Sequence, residues 1–225
     1  MFDRIKTLIG KNGSSPVGAS AALPIPDWAH SAGLSCTERG DGDLLIEGAY
    51  GRHTWALELG PSTRDFIEGR QLRGKVNLAA DPNVSVIVMN RSLKETLDDR
   101  VFKLYTDSVQ TVASPEMQDE MRWVTIFEEF GWDSLPKEFW QRYSVMADKR
   151  VNATILVNEL LCEVLMNGPE QDAAQTPPFT LNFSRSKLYL RMGYQPAELS
   201  TVQHAAAVML TACEAASAGF PIPPP

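Results

Sequence analysis

The sequence predicts an α+β fold: a mainly antiparallel sheet packed against helices, closing with a β-hairpin and a long C-terminal helix. Period-two alternation of apolar and polar residues recurs between residues 34 and 80 and again near residue 180. In the closing stretch Leu199, Val202, Ala206, Met209, Cys213 and Ala216 repeat at threes and fours, the spacing of one helix face. The order of elements, strands first, then helices, a hairpin and a helix, lacks the regular strand–helix alternation of a parallel sheet.

Residues 1–22 form a first region. Phe2, Ile5, Leu8 and Ile9 would share one face of a short helix, with Arg4 and Lys6 beside it, and a Gly/Ser/Pro/Ala linker follows. The domain is expected over 23–219, with a Pro-rich tail at 220–225. Pro26 and Asp27 open a short helix that Gly33 ends. Strands follow over 34–38, 44–50 and 52–59, the first two joined by Gly40-Asp41-Gly42-Asp43, where Asp-Gly favours the positive φ of a hairpin turn. His53, Trp55, Leu57 and Leu59 mark the buried side of the third. A strand over 71–80 turns inward Leu72, Val76, Leu78 and Ala80, and Asp81-Pro82-Asn83 is a turn. Residues 84–89 are nearly all apolar, which predicts a central strand buried on both faces.

The period then changes. Ser92 and Glu95 have capping-box spacing, so a helix should start at Ser92 with Leu93, Leu97 and Val101 inward. Ser114-Pro115-Glu116 predicts another helix running to about 130, with a strand over 122–127 as the alternative. A short helix follows Leu135-Pro136 through Tyr143. A longer one from Asp148 would bury Val151, Ile155, Leu160, Leu161, Val164 and Leu165 until Gly168-Pro169 stops it. Phe179, Leu181, Phe183 and then Leu188, Leu190, Met192 form the clearest hairpin, and Gly219 ends the last helix.

Composition narrows the function. A hydrophobic fraction of 44% in 225 residues supports a sizeable core and excludes a disordered chain. The net charge of -7 disfavours nucleic acid as a partner, because an acidic field repels phosphate backbones. No apolar run approaches the ~18–20 residues of a membrane span, and the start has no secretory h-region. Membrane contact is therefore confined to the weak N-terminal amphipathic turn, and a cytoplasmic location is expected. Cys36, Cys162 and Cys213 are far apart and odd in number, which reads as free thiols rather than a disulfide framework or zinc site.

No catalytic, cofactor or metal motif is present. His30, His53 and His204 lack ligand spacing, and no nucleophile elbow or phosphate loop occurs. Asp41 and Asp43 lack the third oxygen ligand of a calcium loop, because Leu45 stands there. The residues most open to a binding role are loop and strand-end arginines. Arg64 and Arg70 lie in a charged segment between strands, and Asn90-Arg91 closes the apolar strand. A guanidinium there could grip a carboxylate or phosphate. Aromatics gather between 123 and 143, and Trp132 and Trp140 are candidate contact residues, Trp132 being the one expected to be most exposed. The expectation is a non-enzymatic protein- or ligand-binding module, with an acidic secretion or assembly chaperone as one version and a protein partner or homo-oligomer implied. The alternative is an enzyme acting on a small anionic substrate through the arginines.

The stretches Glu47-Gly-Ala-Tyr-Gly-Arg52, Gly60-Pro-Ser-Thr-Arg-Asp65, Met89-Asn-Arg91, Met121-Arg-Trp123 to Gly131-Trp132, and Phe139-Trp-Gln-Arg-Tyr143 resemble a bacterial family of small proteins with no assigned activity. The resemblance covers about residues 40–215. It implies a single bacterial domain and brings no catalytic residue.

Overall fold

A computed structural model of the chain describes residues 24–107, 119–169, 176–195 and 198–222. The N-terminal amphipathic turn and the helix start at Ser114 lie outside them. The fold is α+β, as the periodicities require. Nine strands form one antiparallel sheet: β1 Ser35–Arg39, β2 Asp43–Tyr50, β3 His53–Pro61, β4 Arg70–Asn77, β5 Ser85–Asn90, β6 Glu128–Glu129, β7 Tyr143–Ala147, β8 Phe179–Ser184 and β9 Lys187–Tyr194. Their order is β1-β2-β3-β4-β9-β8-β5-β7-β6. The β8–β9 hairpin thus inserts between β4 and β5, pairing β9 with β4 from Arg70↔Tyr194 to Asn77↔Lys187 and β8 with β5. The helices are α1 Ile25–Ser31, α2 Arg91–Asp107, α3 Asp119–Ile126, α4 Lys137–Arg142, α5 Arg150–Leu156, α6 Glu159–Met166 and α7 Leu199–Gly219.

Strand alternation gives the two faces of the sheet different chemistry. One cross-strand row runs Ile46, Leu57, Gly74, Leu190, Leu181, Val88, Val145, and every member is buried. The alanine-rich α7 lies on this face. Gly74 is what lets it come close, because a Cβ there would fall 2.8 Å from the Met209 sulfur and 2.9 Å from Leu190. The next row, one residue along each strand, runs Glu58, Arg73, Arg191, Thr180, Met89, Ser144 on the opposite face. There α2 and α3 cover only its β5–β7 end, over a small cluster of Phe66, Ile67, Ile87, Met89, Leu93, Leu97, Met121 and Met146.

Several expectations need correction. The helix after β5 starts at Arg91, and the Ser92 hydroxyl accepts from the Asn90 amide at 3.1 Å instead of making a capping box. Within the described residues the element expected to reach 130 is helical over 119–126, neither running on nor forming a strand over 122–127, and Glu128–Glu129 then pairs with β7. The helix from Leu135-Pro136 stops at Arg142, and Tyr143 opens a strand. The long helix from Asp148 is two, because the chain breaks at Val157 and Asn158 caps α6 by accepting from the Leu161 N–H at 2.9 Å. β4 ends at Asn77, where the Leu78 N–H turns to the Ser186 carbonyl.

Candidate functional site

A cleft of about 720 Å3 lies at one end of the sheet. It opens where β5 ends, β7 and β8 begin, α6 finishes and α7 starts. Asn90 holds these pieces together. Its side chain is buried, accepts from the Phe179 N–H at 3.0 Å and donates to Ser92 and to the Pro177 carbonyl. Its amide is thereby committed to structure, though the residue lines the cleft.

Arg91 is the second sequence-derived residue in the wall. Its Nε donates to the Trp140 carbonyl at 2.9 Å, and its Nη2 donates to Glu129 at 2.9 Å and to the Tyr143 carbonyl at 3.2 Å. Burial pushes the Glu129 carboxyl up, but the Arg91 and Lys94 cations bonded to it outweigh this and hold the group below its ordinary value. Arg142, from the end of α4, also lines the cleft and is exposed. It makes no ion pair among the described residues. The described lining contains no Asp or Glu. An anion entering here would therefore meet the Arg142 guanidinium with no carboxylate in the described wall, while Arg91 beside it is already paired with Glu129.

The floor is mixed. Leu165, Met166, Met192 and Phe179 supply apolar surface, and the Tyr143 hydroxyl donates to the Leu165 carbonyl at 3.1 Å. Burial raises the Tyr143 phenol to about 12, so it stays protonated. His204, one turn into α7, faces the same space. Burial lowers it to about 4, which leaves a neutral imidazole at pH 7. Gly168 makes room for it, since a Cβ there would lie 3.0 Å from His204 Nε2. Thr201, also in the lining, donates to Glu198 at 2.9 Å.

Arg64 and Arg70 sit at the same end of the sheet but not in the cleft. The Arg64 Nε reaches both oxygens of Glu120 at 3.0 and 2.9 Å, and Glu120 is fully buried. Arg191 approaches the same carboxylate at 3.5 Å. Burial lowers Arg191, and the Arg64 and Arg73 charges act in the same direction. Arg70 pairs with Asp43 and donates to the Gly42 carbonyl, bracing the β1–β2 turn against β4. Arg64, Arg70 and Arg91 do not form one cluster: they pair with Glu120, Asp43 and Glu129 respectively.

Trp132 and Trp140 meet edge to face at 4.9 Å. They begin a chain of ring contacts through Phe139 and Tyr143 to Phe179 in the cleft. Both tryptophans are half-buried against the core, so the open aromatic patch expected around Trp132 is not present. Trp123 likewise packs on the smaller cluster. Sequence reasoning missed Arg142, Gly168 and Thr201 as cleft residues and gave His204 no partner. All four lie far along the chain from Asn90, and nothing in their local spacing marks them.

Cys36, Cys162 and Cys213 are free thiols. Among the described residues no group of three His, Cys, Asp or Glu is placed to hold a metal ion, and no helix is long and apolar enough to cross a membrane. Comparisons with protein-family models, curated proteins and solved structures find no match.

Proposed function

We propose that this chain is a non-enzymatic binding module of a bacterial cytosol that takes a small anionic molecule in the Asn90–Arg91 cleft. The observation that carries the reading is the charge of the wall: Arg142 lines the cleft with no ion pair among the described residues, beside Arg91, which is paired with Glu129, and no acid stands among the described lining residues. The volume lies within the usual range for small-molecule sites, roughly 300–1,000 Å3. The apolar floor of Leu165, Met166 and Met192 suits a ligand with a hydrophobic part beside its anionic group. Neutral His204 and the Tyr143 ring add polar and aromatic contacts without adding negative charge.

Binding fits these groups better than catalysis. The Asn90 amide and the Tyr143 hydroxyl are engaged with the protein. An imidazole held near 4 is a weak base at neutral pH. The free thiols accord with a reducing compartment.

Thermal unfolding in phosphate, citrate or benzoate, each against chloride of equal ionic strength, tests the proposal. A ligand that binds only the folded chain raises its melting temperature. At least one of the three anions should do so, and Arg142→Gln should remove the effect. No shift with any of them, or an undiminished shift in the variant, would count against the cleft as an anion site.

A further inference from the structure

Besides Arg142, the cleft wall holds a second polar group that the fold leaves without a partner, and this one carries no charge. His204 lines the cleft from the start of α7 and is half-buried there. Neither of its ring nitrogens makes a hydrogen bond among the described residues, and burial alone sets its basicity. Gly168 leaves the Nε2 edge of the ring bare, because a Cβ there would lie 3.0 Å from Nε2 and 3.2 Å from Cε1. Thr201, one turn earlier on the same helix face, also lines the cleft. Its hydroxyl proton goes to Glu198, so toward the cleft its oxygen can only accept.

These groups select among ligand chemistries. A neutral imidazole offers one N–H donor and one bare acceptor nitrogen, and its tautomers exchange the two. A hydroxyl, which both donates and accepts, matches the imidazole and the Thr201 oxygen beside it. A second carboxylate or phosphate has no proton for those acceptors. An ammonium would find no carboxylate in the described lining to pair with. An apolar group would displace the water that solvates the ring without replacing its hydrogen bond, and a polar site penalises such an analogue.

Given the anion reading of the cleft, on which this rests, we propose that His204 is a specificity-determining residue and that the ligand is an acid carrying a hydroxyl on an apolar stem. The carboxylate meets Arg142, the stem lies on Leu165 and Met192, and the hydroxyl bonds to the His204 imidazole. Gly168 serves the same end by keeping Nε2 accessible.

Acids that differ only in hydroxyl against methyl test this. The probes are the para-hydroxy and para-methyl forms of benzoate, phenylacetate and 3-phenylpropionate, titrated calorimetrically at one ionic strength. The three stem lengths sample the spacing between the two polar groups. In at least one pair the hydroxy acid should bind about 3–10-fold tighter, the range of one net hydrogen bond. His204→Leu should abolish that preference and leave the methyl acid's affinity in place. The wild-type chain gives a second readout that needs no apolar variant. The Cε1–H resonance of His204, identified as the one lost in His204→Gln, should move with the hydroxy acid and far less with the methyl acid. Equal affinities in every pair, or a hydroxyl preference that survives His204→Leu, would overturn the role of His204. The anion site itself would still stand if Arg142→Gln lowered both affinities. No binding of any of the acids, or binding that Arg142→Gln leaves unchanged, would overturn the anion reading and the His204 assignment together.

Discussion

Arginines converge at two places at the same end of the sheet, and the two places are built in opposite ways. At the first, Arg64 and Arg191 close on Glu120, which is fully buried, with Arg73 opposite Arg191 in the same cross-strand row. At the second, Arg91 and Arg142 border an open cleft with no acid in its described lining, Arg91 pairing with Glu129 outside that lining and Arg142 with no carboxylate among the described residues. The first carries its own counter-charge from α3, so it fastens that helix to the sheet. The second leaves the Arg142 guanidinium open to solvent. An arginine is thus a binding candidate only where the fold has not already supplied its anion.

The largest expected effect breaks the first place. Glu120→Ala leaves Arg64 facing a buried gap, and disrupting a buried pair in this way costs about 3–5 kcal/mol. Urea unfolding should show that loss while anion binding in the cleft persists. A loss below about 1 kcal/mol would mean that α3 is held by Met121 and its apolar neighbours instead. Next comes the apolar face on which both places depend. Gly74→Val pushes against Met209 and Leu190. Overpacking of this kind costs about 1–3 kcal/mol, seen as a lower denaturation midpoint.

The third effect is on pH dependence. His204 has a folded pKa of about 4 against an ordinary 6.5. Between those values the unfolded chain binds the extra proton, so stability is full above about 6.5 and falls as the pH drops toward 4. At 1.36 kcal/mol per pH unit the ceiling is roughly 3 kcal/mol. About 2 kcal/mol is a fairer expectation, because part of the ring still faces the cleft and its water. His204→Gln should flatten this slope in urea melts run from pH 7 to 4.5. An unchanged slope would place the titrating group elsewhere. The smallest effect on stability belongs to Arg142. It is exposed and makes no ion pair among the described residues, so Arg142→Gln should move the unfolding free energy by less than about 0.5 kcal/mol while removing anion binding.

The fold was legible where one period held over a whole element. β3, the β8–β9 hairpin and α7 each show one apolar repeat, while β2 and β5 stood out as apolar runs bounded by turns, and Asp41-Gly42 and Arg185-Ser186 are such turn residues, all four at positive φ. β7 was hidden because Ser144, Val145, Met146 and Ala147 are all buried, which erases the alternation that separates strand from helix. The break between α5 and α6 was hidden because the apolar spacing continues across Val157. The capping Asn158 was the available signal.

The candidate site was legible only at Asn90 and Arg91, where an apolar strand ends and a helix begins. Arg142, Gly168, Thr201 and His204 join them through long-range packing that no local spacing encodes. Arg64 and Arg70 drew attention for their charge, but charge alone does not reveal that Glu120 and Asp43 would neutralise them. Trp132 and Trp140 invite a surface reading, but Trp140 packs on Phe139 and Trp132 on Trp140, which draws both half inward.

Native mass spectrometry of the chain purified gently from its own host, beside Arg142→Glu prepared the same way, tests the central claim most directly. A bound anionic molecule should appear as a mass excess of small-molecule size on the wild-type chain, vanish on denaturation and be missing from the variant. A wild-type chain at its bare polypeptide mass, or an excess that Arg142→Glu retains, would contradict the cleft as the site.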